Sequence, residues 1–124
     1  MNPGPWGGAT KVYTASRPMY DTIVNEVPEL FPRMVDAFHM AAAIGLVEGE
    51  RKTFERQTPE IANMYSVDTA QILAAALEAT HPDASATDRY QLLLEYAEFG
   101  IEIIHDEVQA TASFDPTPYL DDGT

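Results

Sequence analysis

The chain has 124 residues, no cysteine, and 20 acidic against 7 basic residues, a formal net charge of -13 at pH 7 with a pI near 4.3. This length suits one domain that removes about two-thirds of its unfolded surface from water. Disulfides and thiolate metal sites are excluded, and no apolar run approaches the roughly 18 residues of a transmembrane helix.

The first ten residues, with two prolines, three glycines and Trp6, read as a flexible arm. They lack a basic stretch followed by an apolar one, so no signal peptide is expected and a cytoplasmic location is. Lys11 to Arg17 holds the β-prone Val12, Tyr13 and Thr14 and reads as a short strand. Ser16 ahead of Arg17-Pro18 is a helix start, with Met19, Ile23 and Val27 on one side of a helix to about Glu26 and Pro28 ending it.

Phe31 to Leu46 is the dominant signal. Pro32 fits a first turn, Met34, Phe38, Ala41, Ala42 and Gly45 recur at helical spacing, and no charge falls between Phe38 and Leu46. A helix apolar nearly all round is buried. Val47 to Gln57 is a charged connection around Gly49. Thr58-Pro59-Glu60 predicts a short helix with Ile61, Met64 and Tyr65 on its apolar side, and Val67 to Ala79 an amphipathic one, capped by Ser66 or Asp68.

The last helix is predicted from Ala86 or Thr87 to about Ala110. Tyr90, Leu93, Leu94, Ala97, Ile101, Ile104 and Val108 form one stripe, and Leu92, Tyr96, Phe99 and Ile103 a second. Two stripes mean that the chain wraps this helix on both sides or that the second is an oligomer interface; a homo-oligomer is expected. Gly100 costs about 1 kcal/mol in mid-helix, and a close crossing with the Gly45 region accounts for it. The tail from 111 is acidic and proline-broken, an extended arm that packs onto the body. The expected fold is mainly α, a compact bundle of four to five helices with one short N-terminal strand, over residues 11–110.

Catalytic signals are weak. His39, His81 and His105 stand far apart, and Glu95, Glu98 and Glu102 share a helix face that lacks the companion histidine of dinuclear helical sites. That row is read as solvated. There is no phosphate-binding glycine loop and no nucleophile elbow. No catalytic residue, metal or cofactor is assigned, and an enzyme is not expected.

The candidate nucleic-acid contacts are Lys11, Arg17, Arg51, Lys52 and Arg56, the last three around Phe54. A strand–helix–helix start is also the order of a ribbon–helix–helix DNA-binding regulator. The acidity opposes unaided duplex binding, although molar salt screens charge within about 3 Å. The scattered acids and near-absence of lysine point to halophilic adaptation ahead of DNA mimicry or plain solubility.

Two stretches carry a resemblance. One is Phe38-His39-Met40-Ala41-Ala42-Ala43-Ile44-Gly45-Leu46, followed by Gly49 and Arg51. The other is Leu93-Leu94-Glu95-Tyr96-Ala97, then Gly100-Ile101-Glu102-Ile103-Ile104. With Arg17-Pro18 and Ile72 to Leu77, this order resembles the small proteins encoded beside DNA-phosphorothioation (Dnd) genes, over about residues 16–108. The resemblance implies a non-enzymatic accessory or assembly role in a DNA sulfur-modification and restriction system for defence against phage. It implies proteins of such a complex as partners, DNA contact that is indirect or salt-dependent, and no membrane. The regulator and DNA-mimic readings stay open beside it.

Overall fold

The computed structural model describes residues 6–55, 59–67 and 71–120. Strand β1 (Lys11–Tyr13) leads into helix α1 (Arg17–Glu26), helix α2 (Met34–Glu48) and strand β2 (Glu60–Asn63). A 3-10 turn (Met64–Ser66) precedes helices α3 (Ile72–Thr80), α4 (Ala86–Thr111) and α5 (Thr117–Leu120). The fold is mainly α, as expected.

The α2–α4 pair is its centre. The helices run antiparallel: Gly45 on α2 meets Tyr96 on α4, and Ala41 meets Gly100. A Cβ added to Gly45 would stand 2.3 Å from the Tyr96 carbonyl oxygen, and one added to Gly100 1.9 Å from that of Ala41. The glycines let two backbones touch, so burial there comes from main chain as well as side chains. Phe38, Ala41, Ala42 and Ile44 on α2 and Leu93, Ala97, Ile101 and Ile104 on α4 are all essentially inaccessible.

Helix α2 is displaced from its expected bounds. Pro32 precedes the helix instead of opening it. Arg33 is extended and acts as N-cap (φ -131°, ψ 157°), and the Asp36 carboxylate accepts from the Arg33 backbone N–H at 3.0 Å. That reach back from the third helical position fixes the start at Met34. At the other end Gly49 adopts the left-handed conformation (φ 69°), and the Glu50 N–H returns to the Gly45 carbonyl at 3.0 Å. The helix therefore runs on through Val47 and Glu48. Helix α4 starts on Ser85, whose hydroxyl accepts from the Asp88 N–H at 3.1 Å.

The short helix expected after Thr58-Pro59-Glu60 is instead β2 followed by the 3-10 turn. Strand β1 takes this segment as its antiparallel partner, pairing Lys11 with Asn63 and Val12 with Ala62. The Thr14 N–H reaches the Pro59 carbonyl at 3.1 Å and the Met64 N–H the Thr10 carbonyl at 3.0 Å. A helix of one or two turns has little stability of its own, so pairing across 48 or so intervening residues prevails. Helix α3 also begins later than expected, at Ile72. Gln71 in a left-handed conformation (φ 59°) precedes it, not Ser66; Asp68 and Thr58 lie outside the described residues.

Both terminal segments meet the core. Trp6 is buried. Phe114 is buried between Phe31, with ring centroids 5.9 Å apart, and Tyr119, stacked at 6.1 Å.

Candidate functional site

The polar side chains of greatest interest lie along one side of α4. Glu95, Glu98 and Glu102 were expected to be solvated, and the structure corrects this. Glu98 is 2% exposed, Glu95 is 8% exposed and Glu102 is half-buried. Two segments that the sequence leaves unplaced, the β1–α1 connection and the chain after α2, fold over this row and supply it with donors.

Glu98 serves the N-terminal segment. The Thr14 hydroxyl donates to Oε1 at 2.7 Å, the Ala15 N–H to the same oxygen at 3.3 Å, and the Ser16 hydroxyl to Oε2 at 2.6 Å. Thr14 is itself 1% exposed, and its oxygen accepts from the Ser16 N–H at 2.9 Å. Ser16 is the N-cap of α1 and makes no capping bond within that helix. The Glu98 carboxylate thus sits at the positive end of α1, anchored there by another element of the fold. Tyr20, one turn into α1, is buried; burial, and then the Glu98 charge, hold its phenol well above the ordinary tyrosine range.

Glu95 and Glu102 serve the segment after α2. Arg51 Nη1 donates to Glu95 Oε1 at 2.8 Å, and Gln91 Nε2 to Glu95 Oε2 at 3.1 Å. The Lys52 ammonium donates to Glu102, a bond that raises the lysine's pKa together with the Glu102 charge. The Lys52 backbone N–H reaches the Glu95 carbonyl at 3.0 Å. The Arg51 guanidinium lies 5.9 Å from the centre of the Tyr96 ring, whose hydroxyl meets His81 Nε2 at 2.6 Å.

The proposed nucleic-acid contacts therefore fall into two groups. Lys11 pairs with Glu60 at 3.1 Å and Arg17 donates to the Glu60 carbonyl at 2.9 Å, both beside the β1–β2 pair. Arg51 and Lys52 lie against α4, and Arg56 lies outside the described residues. Of the second α4 stripe, Tyr96 is 4% exposed and enclosed by its own chain. Leu92 and Ile103 are half-buried against the core, and Phe99 is half-buried.

Among the described residues, no cluster of three or more histidine and acidic side chains could hold a metal ion. An open cleft of about 340 Å³ lies where Trp6, Lys11, Tyr13, Thr87 and Tyr90 meet. The Tyr90 hydroxyl is engaged there by the Lys11 carbonyl at 2.7 Å. The arrangement as a whole is suited to holding segments in place: each carboxylate of the row has donors from elsewhere in the chain. The spacing along the chain does not reveal this because, Gln91 apart, the side-chain donors are 44 to 84 positions from their acceptors. The one local hint is Thr14 and Ser16 beside a helix start, since such hydroxyls look for an acceptor. No family model matches the chain, and the searches of curated proteins and of solved structures return no match.

Proposed function

We propose that this chain is a non-enzymatic accessory or assembly protein of a DNA sulfur-modification and restriction system, working through contacts with other proteins in the cytoplasm. The observation that carries the reading is where its cations go. Lys11, Arg17, Arg51 and Lys52 are each held by an oxygen of the chain itself, in a protein of net charge -13. Phosphate contact would have to break those pairs and overcome the remaining acids. The likeness to the phosphorothioation-associated proteins supplies the system, and its two main stretches fall largely on α2 and α4, the helices that form the central crossing. The acidity is read as adaptation to high salt, and Leu92, Phe99 and Ile103 as the part of α4 open to a second copy.

The test is co-expression of the chain with sulfur-modification and restriction proteins of its own host, followed by tagged purification in molar salt. A stoichiometric complex is expected; failure of every such protein to co-purify overturns the reading. Duplex binding across a salt series separates the alternatives. A ribbon–helix–helix regulator would bind a specific site and weaken on Lys11→Ala or Arg17→Ala, but β1 already pairs with β2 along one edge. A DNA mimic would compete with duplex for a restriction protein.

A further inference from the structure

We propose that the cleft between the turn at residues 6–9, β1 and the start of α4 is a docking site for a proline-rich segment of a partner protein, flanked by basic residues. The inference deepens the accessory reading and rests on it only in taking the partner to be a protein. The cleft holds about 340 Å³, at the small end for ligand sites, and is open, so it suits a stretch of chain passing through more than an enclosed molecule. Its walls are aromatic: Trp6, Tyr13 and Tyr90 line it, together with Lys11 and Thr87. The Trp6 wall is fixed in place. Trp6 is 8% exposed, and the Ala9 N–H closes a turn on the Trp6 carbonyl at 3.2 Å. Gly7 (φ 65°) lies so close to α4 that a Cβ there would stand 2.7 Å from Thr87 Oγ1.

The cleft has donors to spare. A buried tryptophan normally gives its indole N–H to an acceptor. Trp6 has none among the described residues, and the Tyr13 and Thr87 hydroxyls make no hydrogen bond among them either. The Tyr90 hydroxyl is already bonded to the Lys11 carbonyl at 2.7 Å, so Tyr90 offers its ring. A polyproline II chain complements this set. Its carbonyls have no internal partner, each proline lacks an N–H and so needs no acceptor in return, and the pyrrolidine rings pack on aromatic faces. An added β-strand fits less well, since the Tyr90 hydroxyl and the Arg17 guanidinium already lie on the Lys11 and Glu60 carbonyls of the two strands. Charge sets the flanks. Lys11 is paired with Glu60 at 3.1 Å, Asp88 is exposed in the first turn of α4, and the chain carries -13. Basic residues on either side of the prolines complement that field, and an anionic ligand does not.

Trp6 is the single tryptophan of the chain, so its fluorescence reports on the cleft directly. The full chain is titrated with a synthetic peptide of about ten residues, mostly proline with arginine at both ends. A saturable change in Trp6 emission is expected. Tyr13→Ala should weaken binding about tenfold or more, as loss of an aromatic anchor does, with helix content by circular dichroism unchanged. Trp6→Phe keeps a ring and deletes the donor; calorimetry should show binding about fivefold weaker, the worth of one hydrogen bond. The absence of a saturable change overturns the proposal, as does equal binding of a peptide with alanine in place of every proline. Unchanged affinity in Tyr13→Ala or Trp6→Phe overturns it too, as does a response to a single-stranded oligonucleotide alone. If Tyr13→Ala does not fold, Thr87→Val decides in its place, with a loss of about fivefold expected and unchanged affinity overturning the proposal. Because the peptide is synthetic, its failure leaves co-purification of host proteins untouched, and failed co-purification leaves peptide binding untouched.

Discussion

Gly100 lies against Ala41 so closely that a methyl group on Gly100 would overlap the Ala41 carbonyl. The same is true of Gly45 against Tyr96, one turn further along the crossing. A methyl at either position would push the helices apart and loosen every side chain packed between them. Gly100→Ala should lower stability by about 3 kcal/mol, at the top of the range for overpacking, even though alanine improves helix propensity by about 1 kcal/mol. Thermal unfolding should show a midpoint lower by about 10 °C. A midpoint unchanged or raised would mean that the crossing has room for a methyl group at Gly100.

Removing Arg51 should cost more than removing an ordinary surface cation. Its partner Glu95 is 8% exposed and would keep Gln91 alone of the two donors described. Arg51→Ala should therefore cost about 1–2 kcal/mol, the cost of leaving a largely buried charge short of a donor. Arg51→Ala with Glu95→Gln should recover part of that loss. Urea unfolding of the two single variants and the double variant measures the coupling.

Tyr20 gives an alkaline limit to stability. Its folded pKa lies above the unfolded value because the buried phenol resists ionisation. Above about pH 10 the unfolded chain releases this proton while the folded chain retains it. Stability falls as pH rises through that window, since the folded state then binds more protons than the unfolded one. Tyr20→Phe should flatten the alkaline decline relative to wild type. Equilibrium unfolding from pH 9 to about pH 11 provides the comparison.

The C-terminal segment should prove structural. Phe114 is 3% exposed between Phe31 and Tyr119. Phe114→Ala should cost about 3 kcal/mol or more through lost burial and the space left behind. Calorimetry would show it as a lower midpoint. A midpoint equal to wild type would mean that the tail packs too loosely to matter.

Much of the fold was legible along the chain because α2 and α4 bury whole faces, and burial imposes a 3.6-residue period on sequence. Gly45 and Gly100 were legible as contact points because a glycine in mid-helix costs stability unless something needs the space. β2 was not legible: Glu60 to Asn63 has no period of its own and becomes a strand because β1 lies alongside. The candidate site was hidden for a related reason. Glu95, Glu98 and Glu102 have the spacing of a solvated face, and nothing in that spacing tells water from Thr14, Ser16, Arg51 and Lys52.

Local pattern by itself therefore determined the four longer helices, the central crossing and the strongly acidic character of the protein, since periodicity, glycine placement and charge are properties of neighbouring residues. Only the tertiary structure decided which acids are buried, which cations are engaged, and that Trp6 and Phe114 belong to the core. Those outcomes depend on donors and apolar partners far away in the chain, and a carboxylate carries no mark of its partner until the fold brings the two together.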